Sequence, residues 1–167
     1  LGQLQLRGLA RLTWLEGNTW RDLQRAMRGG PWHIFHFVGH GGFDANLDEG
    51  VVLLADDDGL AHRLLATELG RLLADHHSLR LAVLNSCEGG RGSQQDVFSS
   101  TAALLVRRGL PAVLAMQYEV TDRAAVEFSR TFYAALADGL PVDAATAEAR
   151  KAVSMAVTNT IEWGTPV

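Results

Sequence analysis

Apolar runs of strand length alternate along the chain with amphipathic stretches of helix length. Trp32 to Val38, Leu79 to Asn85 and Ala112 to Met116 are nearly unbroken apolar segments, as strands buried on both faces are. Val51 to Leu54 is a further strand, and Asp58-Gly59 before LAHRLLA marks the turn of a hairpin. Asn18 or Thr19 caps a helix over TWRDLQRAM, with Trp20, Leu23, Ala26 and Met27 on one face, and Gly29-Gly30-Pro31 stops it. Thr67 with Glu68 opens a helix over ATELGRLLADHH. Val97 to Arg108 is helical, with Ala102, Leu105 and Val106 apolar, Gly109 as its cap and Pro111 beyond. Thr121 or Asp122 caps the long helix RAAVEFSRTFYAALADG, whose apolar face holds Val126, Phe128, Phe132 and Leu136. Pro141 starts a last helix, VDAATAEARKAV. Leu4 to Leu15 alternates loosely and reads as an edge strand, whereas the residues after Gly41-Gly42 read as a polar segment. Strands separated by helix-length links predict an α/β fold with a mostly parallel sheet covered on both faces.

Composition narrows the function classes. A chain of 167 residues suits one domain and buries about 70% of its unfolded surface, so a core needs neither disulfide nor metal. Fifteen basic residues against 19 acidic ones give a formal charge of −4, and no basic run points to nucleic acid. No apolar stretch approaches the ~20 residues of a membrane helix, and no signal peptide is visible. The single cysteine cannot form an internal disulfide, which fits a cytoplasmic setting. The start at Leu1 and the ending Trp-Gly-Thr-Pro-Val suggest that residues 1–167 are one domain excised from a longer multidomain protein.

The candidate chemistry lies at two strand ends. LAVLNSCEGG, Leu81 to Gly90, runs from an apolar strand into Cys87 and a glycine pair. HIFHFVGHGG, His33 to Gly42, runs from another apolar strand into His40 and a glycine pair. Open parallel sheets place ligands at the C-terminal ends of their strands. A thiol there becomes a nucleophile when a nearby imidazole takes or holds its proton. The backbone N–H groups of Gly41 and Cys87 are the candidate oxyanion hole for a peptide carbonyl under attack. His40 precedes Cys87 by about 50 positions, the spacing of the histidine and cysteine in caspases.

From here the resemblance extends beyond spacing. HFVGHGGF, LNSCEGG, GLPAVLAMQYEVTDRAAVEFSRTFYAALADGLPV, ATAEARKAV and the closing WGTP resemble, in order, the CHAT domain, a bacterial caspase-like cysteine peptidase family of clan CD. They span His36 to Pro166. The resemblance implies a three-layer αβα sandwich and cysteine endopeptidase chemistry with His40 as general base and Cys87 as nucleophile. It implies no cofactor. The expected partners are a protein substrate and a regulatory domain or activator, in a bacterial stress or defence setting, with no nucleic acid or membrane contact. The chain departs from the family where Gln117-Tyr118-Glu119-Val120 replaces Leu-Trp-Pro-Val, so Gln117 and Glu119 are candidate pocket residues. Asn85 is another. Relatives specific for arginine or lysine carry an aspartate at that position, two before the nucleophile, so a basic P1 residue lacks its usual partner unless Glu119 or Asp44 replaces it. P1 preference stays open.

Other readings of these residues are weaker. His36 lies on the strand face of His40 and reads as a supporting histidine more readily than a catalytic one. His33 and His36, three apart on a strand, face opposite sides, which speaks against a zinc set with His40 and Cys87. Asp56-Asp57-Asp58-Gly59 lacks calcium-loop spacing and reads as a solvated turn. Gly89-Gly90-Arg91-Gly92 lacks the ending of a phosphate loop and reads as a mobile wall beside the nucleophile. Trp163 reads as a core or docking residue. The rival functions are a catalytically inactive scaffold on the same fold and acyl transfer to a non-peptide substrate.

Overall fold

The computed structural model describes residues 2–86, 97–115 and 122–158. The chain divides into two units: Leu15–Glu119, and Leu1–Trp14 with Val120–Val167.

Among the described residues the second of these holds three helices. Gly2–Leu6 is a short helix, α1, so the edge strand expected over Leu4 to Leu15 does not form. Its loose alternation had no partner strand to complete it, and residues 10–15 carry no regular structure. In the larger unit Thr19 caps α2, Trp20–Arg28, through a reciprocal box with Asp22. The helix buries Leu23 and Met27. The Trp32 indole then donates to the Ala26 carbonyl at 2.9 Å, tying the helix end to the next strand.

That strand is β1, Ile34–Gly39. Residues Gly41–Asp44 form β2, which the sequence pattern did not separate from the polar loop: two glycines and one aromatic are too few to alternate visibly. β2 pairs antiparallel with β3, Glu49–Ala55, and β3 with β4, Ala61–Leu65, which is the expected hairpin extended by one strand. Asp56 closes the β3–β4 turn by accepting from the N–H groups of Asp58 and Leu60, and Gly59 takes a positive φ there.

Ala66–Ala74 is α3. Thr67 is not its cap: the Thr67 N–H donates to the Glu49 carboxylate on β3, and the Leu65 N–H donates to Glu68 at 3.1 Å. A carboxylate from another element thus meets a donor the sequence assigned to a local cap. β5, Leu81–Ser86, follows, then α4, Val97–Arg107, and β6, Ala112–Ala115.

β5 is the centre of a parallel sheet of order β1-β5-β6. The register aligns Phe35 with Ala82 and Val113, and Phe37 with Leu84 and Ala115. These rows face a core shared with Leu23 and Met27 of α2, Leu69 and Leu73 of α3 and Leu105 of α4. Period-two alternation puts Ile34, His36 and Val38, with Leu81, Val83 and Asn85, on the opposite face. The result is a mixed α/β structure with a parallel sheet and helices, compatible with a caspase-like αβα fold.

In the other unit α5, Asp122–Ala137, packs on α6, Val142–Thr158. Phe128 and Phe132 stack at 5.8 Å, and Tyr133 meets Phe132 edge-on at 5.3 Å. Ala145 and Ala149, one turn apart on α6, are wholly buried. Val126, expected on the buried face, is 68% exposed instead. It lies two residues from Phe128, about 200° around a helix, so the two cannot share a narrow stripe.

Leu84→Ala should cost about 2–5 kcal/mol, because Leu84 is buried on the central strand and its removal leaves a cavity. Val126→Ala should change stability by no more than about 0.5 kcal/mol. Urea midpoints of the two variants measure both, and equal losses would contradict this assignment of the core.

Candidate active site

β1 and β5 end together. Gly39 is the register partner of Ser86, so the residues that carry the candidate imidazole and thiol each follow a paired strand end by one peptide bond. His40 is exposed. Cys87, and with it the second oxyanion candidate, lies outside the described residues. So do Gln117, Glu119, Trp163 and the loop Gly89 to Gly92.

The backbone around His40 is fixed by the small antiparallel sheet. Leu53 N–H donates to the His40 carbonyl at 2.9 Å. In an antiparallel ladder hydrogen-bonded and non-hydrogen-bonded pairs alternate. His40 opposite Leu53 therefore makes Gly41 opposite Val52 a non-hydrogen-bonded pair. The Gly41 N–H consequently points away from β3, toward the side of β2 that pairs with no strand among the described residues. Gly41 itself is buried, next to the exposed His40.

Asn85 is 5% exposed on β5, beside Val38 of β1. It is an uncharged amide on the sheet face that also carries His36. Asp44 is already engaged: Arg63 reaches it at 3.1 Å, and its other oxygen accepts the Asn46 and Leu47 N–H groups at 3.0 and 3.3 Å. These bonds hold the β2–β3 turn, so this carboxylate is not free to receive a basic side chain. His33 and His40 flank opposite ends of β1, and the His33 carbonyl accepts from Arg80 and Leu81 N–H. Among the described residues no three His, Cys, Asp or Glu side chains form a metal-holding group.

His36 sits partly buried in the middle of β1, and desolvation lowers its pKa below the ordinary 6.5. It is therefore held neutral, a role the apolar run His33–Val38 concealed. Burial of a histidine this way depends on neighbours that strand periodicity alone does not name.

A sequence model of the CHAT domain family matches residues 1–164. No curated protein matches the chain. Among the described residues no helix is long and apolar enough to cross a membrane.

The lowered pKa of His36 sets a direction for acid stability. The unfolded chain takes up the proton near pH 6.5, before the folded chain does. Stability from this group is therefore complete above that pH and is lost as pH falls through the lower folded value. Denaturant midpoints of the parent and of His36→Gln, measured between pH 7.5 and about pH 5, should converge toward acid. A parallel pair of curves would mean that His36 does not titrate in this way.

Proposed function

The chain belongs to the CHAT domain family, a caspase-like, protease-related family, and we propose that it is a cysteine endopeptidase whose nucleophile is Cys87 and whose general base is His40. The observation that carries the reading is the parallel register of Gly39 with Ser86. Neighbouring strands lie about 4.8 Å apart, and each candidate follows one member of that pair by a single peptide. The site also falls at the C-terminal end of a parallel sheet, where backbone groups are released from the ladder.

The chemistry runs in two halves. The Cys87 thiol gives its proton to the imidazole, and the sulfur attacks the scissile carbonyl carbon. The oxyanion is met by backbone N–H groups, for which Gly41 offers a donor unspent on β3. The tetrahedral species collapses to a thioester as the protonated imidazole donates to the leaving amine. Water, deprotonated by the same imidazole, then adds to the thioester and releases the acid and the thiol. No cofactor takes part. The substrate is a partner protein, and regulation comes from another domain or an activator.

The pocket chemistry favours an uncharged P1 residue. Asn85 carries no charge, and Asp44 is tied to Arg63 and to its own turn. A basic P1 side chain would have Glu119 as its remaining candidate partner.

Labelling of Cys87 by a peptide-based thiol-reactive probe, read by intact mass, tests the dyad. Rapid labelling near neutral pH should slow by about a hundredfold or more in His40→Ala. Labelling indifferent to His40 would favour the scaffold reading, as would full function in Cys87→Ala. A second test uses matched reporter peptides. An Arg-P1 peptide should be cleaved about tenfold or more slowly than a neutral one, since an unpaired buried charge costs more than 1.4 kcal/mol. Fast cleavage at arginine would overturn the pocket assignment and leave the dyad standing.

A further inference from the structure

Arg80 and Arg108 line one cavity of about 360 Å³ at the N-terminal end of the parallel sheet. Its apolar wall is Leu73, Leu79 and Leu110, all buried. His76 and His77 complete the polar rim. Six residues of β5, at about 3.3 Å each, separate this cavity from the strand end that leads to Cys87.

The chain builds the cavity from two helix endings. After α3 the turn closes with Leu79 N–H on the His76 carbonyl at 2.9 Å, and Arg80 N–H bonds His33 at 2.8 Å. After α4, Gly109 adopts a φ of +96°, and the Leu110 N–H returns to the Leu105 carbonyl at 3.2 Å. The Arg108 stem runs alongside α3: its Cδ lies within ordinary van der Waals reach, 3.4 Å, of a Cβ built at Gly70.

Charge decides what such a cavity can take. Among the described residues no acidic side chain lines it, and neither Arg80 nor Arg108 makes an ion pair. Cations at helix C-termini do complement the helix dipole, and that is the structural reading of these residues. But two helix ends offer only about −0.5 charge each. The carbonyls at the end of α4 are moreover already met by the N–H groups of Arg108, Gly109 and Leu110. Asp75 is the sole carboxylate in residues 69–81 and 104–112, and Arg71 and Arg107 offset it from the last turns of α3 and α4. Positive charge remains.

We propose that this cavity is a binding site for a small organic phosphate. Two guanidinium groups present paired N–H donors that match phosphate oxygens. The leucine wall accepts the apolar or planar body of the same molecule, and the volume suits a ligand of nucleotide size rather than a folded partner. The site stands apart from the proposed peptidase centre and does not depend on it.

The test is thermal unfolding and calorimetric titration of the whole chain with ADP, inorganic phosphate and adenosine. ADP should raise the melting temperature in a concentration-dependent way, phosphate more weakly, and adenosine not at all. Arg80→Gln and Arg108→Gln should each weaken ADP binding about tenfold or more. Arg80→Lys, which keeps the charge and loses the planar fork, should fall between, and Arg21→Gln, at an arginine outside the cavity that pairs with Asp57, should match the parent. Melting of each variant without ligand confirms that it folds. Silence from both ADP and phosphate at about 1000-fold excess over the chain overturns the proposal. So does an ADP response that adenosine reproduces, or one that survives the double Arg80→Gln, Arg108→Gln change.

Discussion

The register between β1 and β5 is the constraint on which the rest depends. Rows of side chains pressed onto the helical core set it: Phe35 with Ala82 and Val113, then Phe37 with Leu84 and Ala115. A slip of one residue would carry Asn85 into that core and a leucine out of it. Burying an amide among leucines without partners costs more than most single contacts return. The hydrophobic rows therefore fix which residues face the other way, and they make Gly39 and Ser86 end their strands side by side. The peptidase proposal rests on that coincidence of ends.

Several carboxylates of the larger unit are spent on architecture. Asp44 holds the β2–β3 turn and Arg63, Glu49 meets the first turn of α3, Asp22 closes the cap of α2, and Asp56 closes the β3–β4 turn. Each satisfies backbone donors that would otherwise be orphaned at an element end. Asp22 shows the electrostatic consequence: the hydroxyl and N–H of Thr19 lower its pKa. Asp22 therefore serves the cap of α2 in its ionised form.

The long apolar runs made most of the frame legible. β5 was visible because a strand buried on both faces needs apolar residues at every position; β1 and β6 were visible from their apolar runs, although Ile34 and Val38 of β1 are exposed; and α2 was visible because a capping residue, Asn18 or Thr19, stands before it. What the sequence hid was non-local. β2 exists because β3 offers it a partner; its own Gly41-Gly42-Phe43-Asp44 carries little strand signal. The cap of α3 comes from Glu49, eighteen residues away, so Thr67 looked like the donor's mate when it was the donor. Val126 was grouped with Phe128 from its chemistry, although their angular separation on a helix already set them apart. At the site, His40 could be singled out by its glycines, and the orientation of the Gly41 N–H could not, since it depends on the pairing phase with Leu53 and Val52.

Histidine burial then sorts the two imidazoles that alternation puts on one face of β1. Protonation of His36 is opposed by desolvation, so this ring adds no positive charge to the sheet face at neutral pH. His40, past the last paired residue, is exposed to solvent. In the proposed dyad His40 would then be the one imidazole that exchanges a proton with the thiol. A second cation there would hold the thiolate too firmly and weaken it as a nucleophile, because nucleophilicity falls as the thiol pKa falls. A neutral His36 and a solvent-facing His40 are thus two different uses of one residue type, separated by four positions and by burial.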